Sequence, residues 1–598
     1  MTEEYYSERQ DDVILRTPTV DDGAQIWELV DRLDLDLNSP YAYLLVSRHL
    51  SPNSCVAEHQ GKVVGFVSGY RPPRNPDVLF VWQVGVDPAM RGRGLAKKMI
   101  LHVLDRDTCE GVRWIESTVT PQNKASQLLF RSIARTLDTE IAVSPYFTRE
   151  LFPDDEEHKE EELYRIGPID RVQDRDEQRG IRSSAFKRYE SVVRSYCRMY
   201  PAVFERGEGH LLIDENGNEK IDFLAAAGAV HYGHNNPMLR DALVDYIQRG
   251  GVANSLDLYS TAKRDFLETF SEVILEPREY DYRVMFPGPS GSDAVEAAIK
   301  LARKVSGRRL VVSFTGAAHG STLGALALSG NRIRRQGCGV PLESARAMPY
   351  SGYHGGAVDT LALFESYLTD PQSGFDVPAA VIVETIQADG GVNVASDQWL
   401  QKLQQLCRSH GIYLILDEVQ VGCGRTGPFF SFEPAGIRPD MVVLSKSLSG
   451  YGSPMSVLLI DSELDAWTPG EHDSSFRGNN LAMVTAAASL AYWRDDKLAT
   501  DVEEKGVLVR ERLERLAGNR PWLGAEARGR GLIVGLDLGQ GLSGPQVARA
   551  CFDRGLLVDV CGPNDRVLKL TPPLTIPREA LESGLRIIEE AVALAAGA

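Results

Sequence analysis

The chain has 598 residues, of which 43% are hydrophobic and 25% are charged, a balance that is typical of globular proteins and argues against disorder over most of its length. The 65 Lys and Arg residues against 83 Asp and Glu residues give a net charge of −18. A chain this acidic is a poor match to nucleic acid, which needs a basic face, and to an anionic membrane surface.

No stretch approaches the roughly 18 consecutive apolar residues of a membrane-spanning helix. The acidic start MTEEYYSERQDD has neither the basic head of a secretory signal nor the acid-poor composition of a transit peptide. The eight cysteines are scattered and contain no CxxC pair, so we predict reduced thiols and no metal site. These features lead us to expect a cytoplasmic protein.

Two polar stretches suggest a division of the chain. The acidic run DDEEHKEEE (154–162) and the segment DRVQDRDEQRG (170–180) lie between two regions with periodic apolar residues. We therefore predict an N-terminal domain over 1–170, a polar linker over 171–184 and a C-terminal domain over 185–598. Strands and helices alternate in both domains, which predicts the α/β fold class.

The N-terminal region begins with a predicted strand at 13–16 and a helix whose cap is Thr19 or Asp21. Further along the chain we predict a hairpin that turns at Gly61, a buried strand at 79–86, a helix that opens at RGRGLA (91–96), a strand at 113–120 and a helix capped by Asn123.

The loop RGRGLA carries the chemistry of this region. Gly92 and Gly94 allow a sharp turn that points N–H groups at an anion, although a glycine turn without a ligand is the alternative. With the order of elements around it, the loop resembles that of the GNAT N-acetyltransferases, in which it binds the pyrophosphate of acetyl-CoA and the preceding strand splays to receive the pantetheine arm. The resemblance implies acetyl-CoA contacts by Val84, Val86, Arg91, Gly92, Arg93, Gly94, Leu95, Ala96 and Asn123.

Other segments of this domain indicate the substrate that accepts the acetyl group. The segments LDLDLNSPYAYLL (33–45) and ESTVTPQNKAS (116–126) resemble the diaminobutyrate acetyltransferases within the GNAT family. That resemblance implies substrate contacts by Asp36, Asn38, Tyr41 and Trp82, with Glu116 as the base that deprotonates the amine. A surface role for Asp36 and a core role for Trp82 are the alternatives. Phe130 stands where the family often has a Tyr as general acid, so water or another group must protonate the leaving thiolate.

The second region alternates helices with four short β-branched strands, at 309–314, 379–384, 413–418 and 441–445. This pattern predicts a parallel sheet, whose ligands bind beyond the carboxyl ends of the strands. Asp417 and Lys446 stand at two of those ends. The Gly/Ser loop of GPSGSDAVEAAIKLAR (288–303) enters a helix and offers a phosphate seat.

A lysine for an imine, a carboxylate for a pyridine nitrogen and a phosphate seat together resemble the class III pyridoxal-phosphate aminotransferases over about 185–598. The resemblance implies fold type I, a large parallel-sheet domain with a smaller α+β domain. It also implies that Lys446 forms the imine and moves the proton, and that Asp417 pairs with the ring nitrogen. The other implied cofactor contacts are Ser290, Gly291, Ser292, His319, Glu384, Val419, Gln420 and Ser475.

Some positions depart from the family pattern or extend it. Ala318 replaces the aromatic residue that stacks on the ring, and QADGG (387–391) replaces the common QGEGG. Lys569 stands where many members have an Arg that holds a substrate carboxylate. Ser475 replaces a Thr that reaches the phosphate of the neighbouring subunit, so we expect a homodimer or a higher homo-oligomer.

Within class III, the segments FERGEGHLLIDENGNEKIDF (204–223) and SKSLSGYGSPM (445–455) resemble the diaminobutyrate–2-oxoglutarate aminotransferases. These move an amino group from glutamate to aspartate β-semialdehyde, and their product, diaminobutyrate, is the substrate implied for the first domain. We therefore expect a bifunctional enzyme of ectoine biosynthesis that uses pyridoxal phosphate and acetyl-CoA. Two alternatives stay open: a fusion that acts on another diamine such as ornithine, and a GNAT domain that senses CoA without catalysis.

Overall fold

The fold is that of a computed structural model, which describes residues 13–33, 35–104, 106–109, 111–137, 139–151, 160–169, 184–539 and 541–596. The chain divides into two compact units, Met1–Ser191 and Val192–Ala598. Apart from Ser184, the predicted linker lies outside the described residues, so the predicted domain boundaries stay predictions. None of the helices within the described ranges is long and apolar enough to cross a membrane.

The first unit is built on a seven-stranded sheet with the strand order β1-β2-β3-β4-β5-β7-β6. Its strands are β1 (Ile14–Arg16), β2 (Cys55–His59), β3 (Lys62–Tyr70), β4 (Val78–Val86), β5 (Trp114–Val119), β6 (Ile141–Phe147) and β7 (Glu161–Ile166). Neighbouring strands are antiparallel except β4 and β5, which are parallel. The helices are Asp22–Asp31, Pro40–His49, Leu95–Leu104, Lys124–Thr136 and Ser184–Tyr189.

Local sequence signals account for most of this unit. The predicted hairpin of β2 and β3 turns at Gly61, whose φ of +76° favours glycine. The helix Lys124–Thr136 begins as predicted after Asn123, whose side-chain oxygen accepts a hydrogen bond from the Ser126 N–H at 3.0 Å. β6 and β7 lie outside the predicted elements. β6 is mostly exposed, and the acidic run ends in the first two residues of β7, which hides the buried Tyr164 and Ile166 that follow.

β4 and β5 separate after three residue pairs. Val78–Phe80 pair with Trp114–Glu116, and the ladder then ends although both strands continue. The Ser117 hydroxyl group donates to the Val81 carbonyl oxygen at 2.9 Å. The register of β4 on β3 shifts at Trp82, which is the extra residue of a β-bulge. The two central strands therefore splay, which is the feature that the GNAT resemblance predicts.

The second unit contains seventeen strands among its described residues. They are β8 (Phe204–Glu208), β9 (Leu211–Asp214), β10 (Glu219–Asp222), β11 (Tyr282–Met285), β12 (Val311–Phe314), β13 (Ala345–Met348), β14 (Ala380–Val383), β15 (Ile386–Gln387), β16 (Asn393–Val394), β17 (Tyr413–Asp417), β18 (Met441–Leu444), β19 (Val457–Asp461), β20 (Glu526–Arg530), β21 (Ile533–Asp537), β22 (Leu556–Leu557), β23 (Asp559–Cys561) and β24 (Val567–Leu570).

The central sheet of this unit has the order β11-β19-β18-β17-β14-β12-β13. The four predicted strands, β12, β14, β17 and β18, are parallel and adjacent, as is β13, whereas β19 is antiparallel to both of its neighbours. Strands β14 and β18 are buried throughout, as apolar strands covered on both faces require. Two further sheets of four strands, β22-β10-β9-β8 and β20-β21-β24-β23, and the pair β15-β16 complete the unit.

The helices of the second unit cover this sheet and build a separate apolar core with the smaller sheets. They are Tyr196–Met199, Ala225–Gly228, Pro237–Gln248, Thr261–Phe270, Gly291–Ser306, Leu323–Ala327, Arg332–Gln336, Thr360–Thr369, Asp397–Ser409, Asn480–Ser489, Lys497–Gly518, Gly544–Asp553 and Arg578–Ala595. The predicted apolar face of Gly291–Ser306, with Ala294, Ala297, Ala298 and Leu301, is fully buried.

Candidate active sites

The RGRGLA loop of the first unit has the conformation that an anion-binding turn needs. Gly92 and Gly94 adopt φ of +78° and +70°, and a Cβ atom at either position would meet nothing within 4 Å. Backbone conformation rather than crowding therefore favours glycine there. The loop is exposed over 91–94, and the helix Leu95–Leu104 begins directly after it. The first-turn N–H groups of this helix are thus available to a ligand.

The other residues that the resemblance assigns to acetyl-CoA have varied surroundings. Val84 and Val86 pack partly against the core, and Arg91 Nε donates to the Val86 carbonyl oxygen at 3.4 Å. Leu95 is buried, Ala96 is half-buried, and the exposed Asn123 caps its own helix.

Phe130 is buried, with its ring centroid 6.4 Å from that of Tyr164. Phe130 is therefore a core residue, and it offers no hydroxyl group to a thiolate.

Glu116 belongs to a row of paired residues that crosses four strands. Tyr70 pairs with Phe80, Phe80 with Glu116, and Glu116 with Arg165. Directly paired residues point to the same face of a sheet. Arg165 Nη1 forms an ion pair with Glu116 Oε1 at 3.3 Å. Burial raises the pKa of Tyr70, and the charges of Tyr146 and Glu116 raise it further, so a neutral phenol stands near the Glu116 carboxylate.

Hydrogen bonds tie the predicted acceptor segment to β4. Gln83 Nε2 donates to the Asp36 carbonyl oxygen at 2.8 Å, and the Tyr43 hydroxyl group donates to Gln83 Oε1 at 3.1 Å. The Asn38 N–H donates in turn to the Tyr43 hydroxyl oxygen at 3.4 Å. The side chain of Tyr41 is 67% exposed. Sequence reasoning missed Gln83 and Tyr43. Tyr43 lies inside the resembling segment 33–45, and Gln83 lies in the predicted buried strand 79–86, directly after Trp82.

The bulge at Trp82 decides which face this segment covers. Val81 before the bulge and Val84 after it both pack on the same core, so the extra residue shifts the alternation of the strand. Gln83 consequently shares a face with Phe80, which is the face of Glu116. Trp82 is 46% exposed, so it is not a core residue. The structure thereby brings the Asp36–Asn38 backbone to the same side of the sheet as Glu116.

The second unit contains a cavity of about 390 Å³ at the carboxyl ends of the parallel strands. This is where the predicted sheet places its ligands. Nine residues predicted to hold the cofactor line it together: Ser290, Gly291, Ser292, His319, Glu384, Asp417, Val419, Gln420 and Lys446.

Lys446 follows β18 in a left-handed conformation, with φ of +52°. Its Nζ donates to the carbonyl oxygen of Ala227 at 3.0 Å. Ala227 itself belongs to the short helical turn Ala225–Gly228, in which Ala225, Ala226 and Ala227 all have the positive φ of the left-handed region, a conformation that non-glycine residues rarely adopt. Burial lowers the pKa of Lys446 to about 8. A buried amine with a lowered pKa is partly neutral near pH 8 and therefore able to attack a carbonyl group.

Asp417 ends β17 and holds its carboxylate in a fixed position. His319 Nδ1 donates to Asp417 Oδ2 at 2.7 Å, and the Val419 N–H donates to Oδ1 at 3.0 Å. Glu384 accepts the Ala318 N–H at 3.1 Å, and its burial and the charge of Asp417 raise its pKa well above the usual range. The Glu384 carboxyl group therefore keeps its proton at a higher pH than an ordinary glutamate does.

The phosphate seat begins the helix Gly291–Ser306. Ser290 is its N-cap and forms a capping box with Asp293, so its hydroxyl group is committed to the helix. The N–H groups of Gly291 and Ser292 start the first turn. A Cβ atom at Gly291 would lie 2.8 Å from the Val419 side chain, and one at Gly320 would lie 2.2 Å from Ser292 Oγ. Glycine therefore keeps the walls of the seat close together.

Three observations show that these residues fit the pyridoxal phosphate implied by the sequence. The buried His319 Nε2 has no hydrogen-bond partner among the described residues, and it adjoins the Asp417 carboxylate in the cavity. A helix N-terminus with close-packed glycines suits one phosphate group. The Lys446 amine, the Asp417 carboxylate and this N-terminus together supply the donor set that such a cofactor requires.

Lys569 and Ser475 lie outside the lining of this cavity. Lys569 is buried, and its Nζ contacts Asp389 Oδ1 at 2.9 Å, Gln420 Oε1 at 3.0 Å and Asp559 Oδ2 at 3.1 Å. A direct clamp on a substrate carboxylate would require Lys569 to leave these partners. Ser475 is exposed, as an approach to a neighbouring subunit would need.

Sequence reasoning missed Arg334, which lines the cavity from the helix Arg332–Gln336.

Comparison with known proteins identifies both units. Residues 193–592 match the family model of the class III aminotransferases, and residues 24–133 match that of the GNAT acetyltransferases. The chain belongs to the class III aminotransferases and carries a GNAT domain in its N-terminal part, as the sequence predicts.

Individual relatives show which aminotransferases this chain is similar to. The chain is 52% identical over 410 residues to a diaminobutyrate–2-oxoglutarate transaminase from Streptomyces anulatus, covering 68% of this chain and 97% of that one. It is 48% identical over 409 residues to the enzyme of that name from Halalkalibacterium halodurans, covering 68% and 96%. Among solved structures, a Toxoplasma gondii ornithine aminotransferase with PLP partly occupying its active site has a TM-score of 0.61 and 28% identity, covering 69% and 93%.

Proposed function

We propose that this chain is a bifunctional enzyme of ectoine biosynthesis. Its second unit transfers an amino group from glutamate to aspartate β-semialdehyde with pyridoxal phosphate, and its first unit acetylates the γ-amine of the resulting diaminobutyrate with acetyl-CoA. The observation that carries the proposal is the cavity in which Lys446, Asp417 and the N-terminus of Gly291–Ser306 meet. We further propose a cytoplasmic homodimer or higher homo-oligomer, in which Ser475 approaches the phosphate of the neighbouring subunit.

Each residue of the cavity has a role in this transamination. When bound, pyridoxal phosphate supplies an aldehyde for the amine and a ring that accepts electrons from the reacting carbon. Lys446 would hold the aldehyde and would afterwards move the proton at the substrate carbon. Asp417, oriented by His319, would hold a proton on the ring nitrogen, and Val419 would contact the ring. The N–H groups of Gly291 and Ser292 hold the phosphate.

The acetyl transfer rests on the splay of β4 and β5. Acetyl-CoA places its pyrophosphate on the loop 91–96 and its thioester in the gap, where Glu116 removes a proton from the γ-ammonium group. Arg165 holds the Glu116 carboxylate by its ion pair. Tyr70 stands close enough to Glu116 for the carboxylate charge to raise the pKa of the phenol, and the neutral phenol provides a hydroxyl group in place of the missing Tyr at Phe130.

We propose diaminobutyrate rather than ornithine as the substrate because of the sequence identity to the named relatives. Identity to the named diaminobutyrate transaminases is about half, against 28% to the ornithine aminotransferase. The test offers diaminobutyrate and ornithine in turn, each with acetyl-CoA, and follows the release of free thiol. We expect thiol release with diaminobutyrate. Thiol release with ornithine but not with diaminobutyrate would favour ornithine as the substrate. CoA binding without thiol release in the presence of either diamine would favour a domain that senses CoA.

The pH dependence of cofactor capture should follow Lys446. Only the neutral amine attacks an aldehyde, and a pKa of about 8 makes half of the amine neutral at that pH, against roughly 0.3% for a lysine of ordinary pKa. We expect the rate at which apoprotein takes up pyridoxal phosphate to rise with pH to a midpoint near 8 and then to level off. Stopped-flow absorbance measures this rate, and a midpoint near 10 would contradict the burial of the amine.

The loop glycines give a second prediction. Gly92→Val places a β-branched residue at φ of +78°, which costs about 1–2 kcal/mol in that conformation, so the loop turns its N–H groups away. We expect the KM for acetyl-CoA to rise about tenfold, with transamination unchanged. Gly61→Val, at φ of +76° in the hairpin, is the matched control and should leave this KM within about twofold. Equal effects of both variants would refute a ligand role for the loop.

A third prediction concerns the missing aromatic residue. Ala318 lines the cavity, and a ring placed there would stack on the cofactor. Because such a contact contributes about 0.5–1.5 kcal/mol, Ala318→Phe should slow the loss of cofactor on dialysis by roughly two- to tenfold. Ala318→Leu adds volume without a ring and serves as the control. No gain from the Phe variant would mean that His319 already fills the space.

A further inference from the structure

Four side chains of alternating charge run from the interior of the second unit to its cavity. Asp559 and Lys569, with side chains 5% and 1% exposed, form an ion pair at 3.1 Å, and Lys569 contacts Asp389 Oδ1 at 2.9 Å. Asp389 Oδ2 faces Arg334 Nη1 at 3.5 Å, and these two side chains are 34% and 56% exposed. The two oxygens of Asp389 therefore differ: the inner one is held by Lys569, and the outer one faces Arg334, which lines the cavity together with Asp389.

A contribution to stability does not explain the ion pair between Asp389 and Arg334. An exposed ion pair at this distance contributes little to stability, and the inner oxygen of Asp389 already has its own ion pair with Lys569. Besides Lys446, Arg334 is the only cation among the described residues that line the cavity. A guanidinium group is suited to bind a carboxylate through two parallel hydrogen bonds.

The two amino donors of the proposed reaction have a matching geometry. In glutamate the γ-carboxyl carbon is three bonds from the reacting α-carbon, and in diaminobutyrate the α-carboxyl carbon is three bonds from the reacting γ-carbon. One cation can therefore serve the distal carboxylate of both. Diaminobutyrate differs by an ammonium group beside that carboxylate, and aspartate β-semialdehyde has the same zwitterionic end.

We propose that Arg334 and Asp389 form the subsite for this distal end. Arg334 binds the distal carboxylate of either substrate, and the outer oxygen of Asp389 binds the ammonium group that only diaminobutyrate and the semialdehyde carry. Lys569, pinned by Asp559, is a positioning residue that fixes Asp389 from behind. This assignment rests on the proposed transamination and names the groups that decide its substrate.

The test compares diaminobutyrate with 4-aminobutyrate as amino donors to 2-oxoglutarate, because 4-aminobutyrate lacks only the distal ammonium group. We expect Asp389→Asn to lower kcat/KM for diaminobutyrate at least about tenfold while leaving kcat/KM for 4-aminobutyrate within about twofold. The ratio of the two values is independent of how much enzyme is correctly folded. Arg334→Gln should raise the KM for both donors and for glutamate at least about tenfold, and Arg332→Gln, an equal loss of charge on the same short helix, should change none of them.

Two results would overturn the assignment. Equal losses for both donors in Asp389→Asn would make Asp389 a structural residue only. An Arg334→Gln enzyme that behaves like Arg332→Gln would remove Arg334 from the subsite. Failure of the proposed function is distinguishable from either, because the unmodified enzyme would then fail to transfer the amino group of diaminobutyrate at all.

Discussion

Lys446→Ala is expected to abolish transamination while leaving acetyl transfer to added diaminobutyrate intact. The variant removes the amine that binds the aldehyde and moves the proton, so the rate should fall by at least about 10²–10⁴-fold. The purified variant should also lose the yellow colour of the bound cofactor. Amino transfer and thiol release, measured on the same preparation, check the two activities separately.

Two controls sharpen this experiment. Lys446→Arg keeps the positive charge but cannot form the bond to the aldehyde, so it should be as inactive as the Ala variant. Lys402→Ala removes an exposed lysine from the helix Asp397–Ser409 and should leave both activities unchanged. Reduction with borohydride followed by peptide mapping should find the cofactor on Lys446. Cofactor attached to a different lysine would refute the assignment.

Asp417→Asn should give the second large loss. The variant replaces the charge that keeps a proton on the ring nitrogen, and its amide group no longer matches the two N–H donors that now face the carboxylate, from His319 and Val419. Transamination should slow by roughly 10²-fold or more, with the cofactor still attached to Lys446. Single-turnover absorbance measurements with glutamate report the rate of the half-reaction directly.

Asp440→Asn is the matched control for this change. Asp440 is a half-buried aspartate that precedes β18 and accepts the Leu414 N–H at 2.7 Å, at the opposite end of the parallel strands from the cavity. Its loss should affect stability more than rate. If Asp417→Asn retained a near-normal rate, another group would have to hold the ring nitrogen.

The sequence predicts most of the second site because its residues follow strands directly. Lys446, Asp417 and Glu384 come at or just after the ends of β18, β17 and β14, and parallel strands bring their carboxyl ends together. The Gly/Ser loop before Gly291–Ser306 is recognisable by the same logic, since a helix N-terminus is an anion site. The residue types and the direction of the strands are enough to predict these positions.

Contacts between distant segments are what the sequence does not reveal. Lys569 belongs to β24, and only the fold shows that Asp389 and Asp559 enclose its ammonium group. The bulge at Trp82 shifts the faces of β4 by one residue, which no periodicity indicates. Arg334 follows no motif. Its one signal is a cluster of three arginines within 332–335 in a chain of net charge −18.

The most direct test of the account uses the intact enzyme with aspartate β-semialdehyde, ¹⁵N-labelled glutamate and acetyl-CoA. Mass spectrometry of the products should find diaminobutyrate acetylated once, with the label on the nitrogen that carries the acetyl group, because the transferred amino group is also the acceptor of the acetyl group. Equal amounts of 2-oxoglutarate and free CoA should accompany it. Labelled diaminobutyrate that stays unacetylated, or an acetyl group on the unlabelled nitrogen, would contradict the proposal that the two activities act in sequence on one metabolite.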